Sequence, residues 1–504
     1  MCLHCTRLYF PYIFNPQVET IKICIIKIPA LRLLFPFETM VANKNMTQET
    51  KNDIAIDETR ERNIANVFEC EPMLSFCQAF LKEHPHAQLF LVGGAVRDLL
   101  LGRKSKDFDF VVCNVAPEDL QTWFSQHGFI DLVGRSFGVF KFSPKEFPAP
   151  RYEPIDLALP RREHAQEGSL GGYRDFDVQA DPSLPVEEDL SRRDFTINAM
   201  AYSVREKRMV DPFGGQKDLE KKVIRAVGNP EDRFKEDMSR ALRALRQAAQ
   251  LDFVIESKTW DALCETLKRI HTKRLSAHTG QEEFVVAREV IAKEILKALL
   301  ANPARAVDLL YHSGVFEQFF PEVHQAIKDE KIEMSWFVQT KDLTSTLAFL
   351  FSVTSPACVR KRLGDIKAES MDREASYRIS ISDIADLVDR LQHIEDMDAL
   401  PSLPAHQIFH SYANARGYRF LSLAHILGHE KHVAQVRHLL DTFRQSCHVE
   451  RLEDIRAVVT GRDVMGTLGI PAGPKVGEAL RRAFDLQLTQ GWDRETILSH
   501  LQSS

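Results

Sequence analysis

The sequence predicts an α+β protein, with a mixed-sheet head followed by an all-helical remainder. Three observations carry that expectation. Short apolar runs bounded by turn residues, at 87–92, 110–113, 134–142 and 154–160, alternate with helical patterns. From about residue 255 onward the patterning is almost wholly helical. The chain has 504 residues, too many for one core, so about two to four domains are expected.

Hydrophobic content of 44% and charged content of 27% are ordinary for a globular protein. The formal net charge of −6 gives no global pull toward nucleic acid, so any RNA site must be a local basic surface. Residues 21–37 are basic and apolar, but Lys22, Lys27, Pro29 and Arg32 interrupt them. No run of 18 uncharged apolar residues exists, and no membrane span is expected. Residues 1–70 read as a disordered or over-extended N-terminal extension and linker, with Met40 or Met46 as alternative starts and a targeting role as the rival. Cys2 and Cys5 form a CxxC without a second pair at zinc spacing, and the nine cysteines read as reduced thiols, which fits a cytoplasmic protein.

The head is predicted in order. A helical pattern over 71–83 precedes a buried strand, Ala87–Val92, that enters the turn Gly93-Gly94. A short helix carrying Arg97 leads to a strand carrying Asp107 and Asp109. Residues i and i+2 of a strand share a face and lie roughly 6.6 Å apart, so two such carboxylates suit divalent cations about 3.5–4 Å apart. Glycines let backbone N–H groups approach a phosphate, and the helix start adds positive dipole. Pro117–His127 reads as a helix opened by proline and acids. The strand near 154–160 carries Asp156, the candidate third carboxylate. Residues 164–188, with Gly168, Gly171 and Gly172, read as a long mobile loop. Asp211–Leu219 reads as a turn leaving the head. Residues 230–251 read as one helix, with Ala241, Ala244, Leu245 and Ala248 on its apolar face and Asp237, Arg240, Arg243 and Gln247 on another.

These motifs resemble the class II nucleotidyltransferases, the tRNA CCA-adding enzymes and bacterial poly(A) polymerases. The pattern GGxVRDxLLGxxxxDxD is met by Gly93, Gly94, Val96, Arg97, Asp98, Leu100, Leu101, Gly102, Asp107 and Asp109. Arg192-Arg-Asp-Phe-Thr-Ile-Asn-Ala-Met-Ala201 is similar to the family's second motif, Asp211–Leu219 to DPFGGxxDL, and Glu236-Asp-Met-Ser-Arg240 to the base-selecting EDxxR. The resemblance implies a polymerase-β-like nucleotidyltransferase head at 71–215. A helical neck at 216–280, a helical body at 281–400 and a tRNA-binding helical tail at 401–504 follow.

It also implies the chemistry. Asp107 and Asp109 would hold Mg²⁺, with Asp156 as base or third ligand. Gly93, Gly94, Arg97 and Arg193 would hold the triphosphate. Asp194 would accept from a ribose hydroxyl. Asp237, Arg240 and Arg243 would face the base. A carboxylate beside a guanidinium complements the donor–acceptor edges of cytosine and adenine and opposes those of uracil and guanine. The implied activity is template-independent addition of C, C and A to tRNA 3′ ends from CTP and ATP, with poly(A) polymerase or an A-adding enzyme as alternatives. A monomer or homodimer is expected. At 285–301 Glu289, Ile291 and Glu294 fit the next motif, but Val290 stands where arginine is usual. The glycines of 459–478 resemble the terminal segment of bacterial CCA-adding enzymes, a plausible grip for a tRNA phosphate. His406, His410, His425, His429 and His432 read as solvated or capping residues rather than a metal site.

Overall fold

A computed structural model describes residues 64–503 apart from 106, 134–137, 166–169, 173–175, 277–279, 341, 370–377 and 395–402. The expectations for residues 1–63 fall outside the described residues. Helix α1 (64–70) and helix α2 (Phe76–Glu83) lead to strand β1 (Gln88–Val92). Gly93 turns the chain at φ +75°, and helix α3 (Gly94–Leu100) follows. Strand β2 is Asp109–Cys113, and helix α4 is Pro117–His127. Pro117 opens α4 where its missing N–H costs nothing, and Glu118 and Asp119 complement the positive helix end.

Strands β3 (Gly128–Leu132), β4 (Val139–Pro144) and β5 (Ile155–Ala158) come next. A separate antiparallel ribbon, β6 (Arg161–Ala165) with β7 (Phe176–Ala180), and helix α5 (Val186–Ser191) follow. Strands β8 (Ala201–Ser203) and β9 (Arg208–Val210) complete a seven-stranded sheet in the order β3-β4-β5-β2-β1-β8-β9. Only β2 and β5 pair in parallel, which makes the sheet mixed.

Alternation along the central strands explains why they read as continuous apolar runs: both faces are buried. Leu89, Leu91, Phe110 and Val112 join the large core, where Phe76 packs edge-on against Phe110, Phe124 and Phe142. Phe90, Val92, Val111 and Cys113 join a smaller core with Val186 and Leu190 of α5. Asp109 shares its parity with Val111 and Cys113, so it faces the α5 side.

Helix α6 (Gly215–Glu220) starts where Asp211 accepts from the N–H groups of Gly215 at 2.7 Å and Gln216 at 2.9 Å, the turn expected there. A Cβ on Gly215 would lie 2.2 Å from the Thr196 carbonyl oxygen. Helices α7 (Pro230–Glu236), α8 (Ser239–Leu251), α9 (Ser257–Leu267) and α10 (Arg288–Ala301) follow, and α8 packs on α10. Ala241, Ala244, Leu245 and Ala248 are buried as their spacing requires. Val290 packs partly buried against the core. Further helices continue to Arg494–Ser503, and Val459, Val464, Val476, Ala483, Ile497 and Leu501 form a separate small core in the tail.

Four expectations change. The edge strand β3 was not anticipated, because Asp131 interrupts its apolar residues and no face of it is fully buried, Phe129 being 73% exposed. The predicted loop 164–188 is in part ordered: its arms form the β6–β7 ribbon and its end forms α5, while 166–169 and 173–175 lie outside the described residues. The single helix over 230–251 is two helices, broken at Asp237 with φ −144° and ψ 105°. The Asp237 carboxylate accepts from Ser239 N at 2.8 Å, and Met238 N donates to the Gly171 carbonyl at 3.0 Å. That local cap and long-range bond outcompete helix propensity. A short ribbon, Lys273–Leu275 with Glu282–Phe284, interrupts the otherwise helical region after 255.

Candidate active site

Sheet register assembles the acids. Asp109 opens β2, opposite Val92 of β1 and Asp156 of β5. Lys141 of β4 lies opposite Asp156, and its Nζ is 3.1 Å from the Asp156 carboxylate. Asp107 precedes the strand instead of lying on it, since β1 has already turned away at Gly93 and offers it no ladder partner. It remains close enough to act electrostatically on Asp109. The Asp109 carboxyl is pushed up to about 6 by burial first, then by the charges of Asp107 and Asp156, with Arg193 and Lys141 pulling the other way.

A group of hard oxygen donors that repel one another suits a hard divalent cation. Magnesium is commonly held by one or two carboxylates together with substrate phosphates. Asp107 and Asp156 are the acids whose charges act on Asp109 here. Among the described residues no three acidic, histidine or cysteine side chains are gathered into a complete protein cage.

The other wall is cationic. A cleft of about 460 Å³ brings Gly93, Gly94, Arg97, Asp109, Arg193, Asp194, Asp237, Arg240 and Arg243 together. Arg193 lies over the glycine turn: a Cβ on Gly93 would be 2.8 Å from its Nη1. Its Nε and Nη2 donate to Asp189 at 3.3 and 3.1 Å. Arg97 donates to Asp98 at 2.9 and 3.0 Å and to Asn198 Oδ1 at 2.8 Å. Asn198 in turn donates to Asp194 at 3.0 Å and to Gln247 at 3.2 Å, so it ties α3 to α8.

Asp194 is buried. Its Oδ1 accepts from Phe195 N at 2.8 Å and from Asn198, and its Oδ2 accepts from Arg243 Nε at 2.9 Å. Burial raises its pKa, but the charge and hydrogen bond of Arg243 and the bond from Asn198 outweigh it, holding the carboxyl down to about 2. Asp194 is thus engaged in holding the cleft wall.

Asp237 and Arg240 face the same cleft without pairing with each other. Arg240 donates to Glu236 at 2.8 Å and to the Arg192 carbonyl at 3.1 Å, while Asp237 caps Ser239. Arg246, not singled out in the sequence, donates to the buried Glu294 at 2.5 Å. Arg192, Asn198, Arg246, Asp189, Glu294 and Lys141 were all missed as candidate site residues. Arg192, Asn198 and Glu294 stood inside recognised motifs, which was the signal available for them. Asp189, Arg246 and Lys141 are identified only by tertiary contact.

The histidines of the tail region disperse. His406 Nδ1 lies 2.9 Å from Asp485, His425 Nδ1 2.8 Å from Glu430, and His432 is buried beside Tyr412.

Residues 89–225 match the family model described as the poly A polymerase head domain. The chain is 37% identical over 243 residues to the Multifunctional CCA protein of Acidovorax sp. (strain JS42), covering 47% of this chain and 50% of that one. It is 38% identical over 237 residues to the Multifunctional CCA protein of Neisseria gonorrhoeae (strain NCCP11945), again covering 47% and 50%. The chain thus spans about half the length of the curated relatives it matches. The fold is similar to that of the Bacillus stearothermophilus CCA-adding enzyme in complex with CTP, with TM-score 0.61 and 23% identity over 84% of this chain and 94% of that one.

Proposed function

We propose that this chain, whose residues 89–225 match the poly A polymerase head domain and which is 37% identical over 243 residues to a Multifunctional CCA protein, adds C, C and A to tRNA 3′ ends from CTP and ATP. One observation supports this most: a single cleft unites Asp109, the glycine turn, a row of arginines and the Asp237–Arg240 pair of positions. A triphosphate site, a cation-supported reaction centre and a base-reading edge would then share one cleft.

Magnesium bound at Asp107 and Asp109 would supply Lewis acidity to the reacting oxygens and neutralise phosphate charge. Asp156, the register partner of Asp109 on the neighbouring strand, would take the proton of the primer 3′-hydroxyl as it attacks the α-phosphorus in line. Arg97 and Arg193 would hold the β- and γ-phosphates, so that pyrophosphate leaves along a prepared path. Asp237 and Arg240 would meet the donor and acceptor of cytosine or adenine. Arg240 is already held on two sides, so little freedom is lost when a base arrives. A cytoplasmic setting fits this role. Among the described residues no helix is long and apolar enough to cross a membrane.

The test is primer extension on tRNA lacking its 3′ CCA. CTP alone should add two residues, and CTP with ATP a third. Long A tracts from ATP alone would point to a poly(A) polymerase. Activity confined to tRNA ending in CC would point to an A-adding enzyme.

A further inference from the structure

Asp189 lies on α5, outside every motif used above, and its side chain is fully buried. A carboxylate is driven out of such a site unless charge and hydrogen bonds compensate. Here two guanidiniums do so. Arg192 donates to one oxygen through Nε at 3.0 Å and Nη2 at 2.5 Å. Arg193 donates to the other through Nε at 3.3 Å and Nη2 at 3.1 Å. Their combined charge outweighs burial and keeps the Asp189 carboxyl below its ordinary range.

Each oxygen therefore orients one arginine, and Arg193 also donates through Nη1 to the Asn198 carbonyl at 3.4 Å. Both arginines line the cleft that holds Asp109. The carbonyl of Arg192 also accepts from Arg240, the residue placed at the base. Side chains three and four positions beyond a helical residue return to the same side, which is how one short helix orients both.

We propose that Asp189 is a positioning residue that presets Arg192 and Arg193 as a two-pronged clamp for the nucleotide triphosphate, with Arg192 as its unassigned second prong. This rests on the nucleotidyltransferase reading of the cleft. Arginine loses much rotamer freedom when it is fixed on a ligand. A clamp already fixed on Asp189 avoids that loss at binding, and the effect belongs in nucleotide affinity.

The experiment measures binding of inorganic tripolyphosphate to the full chain by calorimetry, without divalent cation, so that only the protein's cations are read. Asp189→Asn should weaken binding by about tenfold or more. In steady state it should raise KM for CTP and ATP by a similar factor, with kcat and KM for tRNA nearly unchanged. Arg192→Gln should weaken tripolyphosphate binding several-fold by itself. Unchanged tripolyphosphate affinity in Asp189→Asn overturns the proposal while leaving the proposed function standing. A parallel fall in kcat, tRNA affinity and Tm also overturns it, by showing a merely structural role. If the unaltered protein binds no tripolyphosphate, the cleft reading fails with it. Should Asp189→Asn not fold, Asp189→Glu keeps the charge but moves it by one methylene. Partial loss is then expected, and unaltered affinity in that variant overturns the proposal.

Discussion

The two walls of the cleft treat buried acids in opposite ways. On the α5 and α8 side, Asp189 and Asp194 are each locked to arginine and held below their ordinary range. On the sheet side, Asp109 faces Asp107 and Asp156 and is pushed up to about 6. The first wall is complete as it stands. The second is left electrostatically unsatisfied, with Lys141 and Arg193 giving partial relief. The difference separates scaffold from reaction centre: paired acids hold shape, and crowded acids store a demand for positive charge that bound cations and substrate would meet.

The sharpest way to break this contrast is to neutralise one acid on each wall. Asp109→Asn should lower primer extension by at least ~10³-fold, since a group that supports charge in the transition state is lost. It should also stabilise the ligand-free protein by about 1–3 kcal/mol, because a buried charge held up by burial and repulsion has been removed. Single-turnover extension and thermal unfolding of the same preparation check both signs. A lower Tm would show that the sheet-side acids are ordinary structural groups.

Asp194→Asn should move stability the other way. It deprives Arg243 of its partner, but that side chain is 40% exposed, so water offsets part of the loss. A destabilisation of about 2 kcal/mol is expected. The pH dependence has a definite sign. The Asp194 carboxyl ionises near 2 when folded against an ordinary value of 3.8, so its stabilisation is full above about pH 4 and is lost as pH falls toward 2. Denaturation midpoints compared between pH 5 and pH 2.5 should fall more steeply in the unaltered protein than in Asp194→Asn.

The same contrast explains what sequence reading reached. The acids and glycines of 93–109 and the motif at 192–201 are contiguous, and their chemistry is dictated by local spacing. Helix Pro117–His127 was legible because its start carries both proline and acids. The break at Asp237 was not, because propensity runs unbroken through 230–251 and the competing bond comes from Gly171, more than sixty residues earlier. Removing Asp237 from the helix also dissolved its expected pairing with Arg240, although both still face the cleft. Asp189 and Glu294 were missed for a related reason. A buried acid looks like any surface acid until the fold brings arginine to it. Asp189 fell between the stretch read as loop, 164–188, and the motif that begins at Arg192, and Glu294, although it fitted a motif, lies 48 positions from Arg246.

Glu294 supplies the smallest and most discriminating prediction. It is buried on α10, bonded to Arg246 at 2.5 Å, and its other oxygen is 4.0 Å from Arg243. It supports the α8 arginines as Asp189 supports Arg192 and Arg193, but with one close contact in place of two. Glu294→Gln keeps the shape and one acceptor, so a loss near 1 kcal/mol is expected. The two supports serve different ends of the nucleotide. Glu294→Gln should raise KM for CTP and ATP only a few-fold while leaving tripolyphosphate affinity unchanged, since the triphosphate clamp stands on another helix. If tripolyphosphate binding falls equally in Glu294→Gln and Asp189→Asn, the arginines form one undivided anion surface, and the division between a base-facing and a phosphate-facing support is wrong.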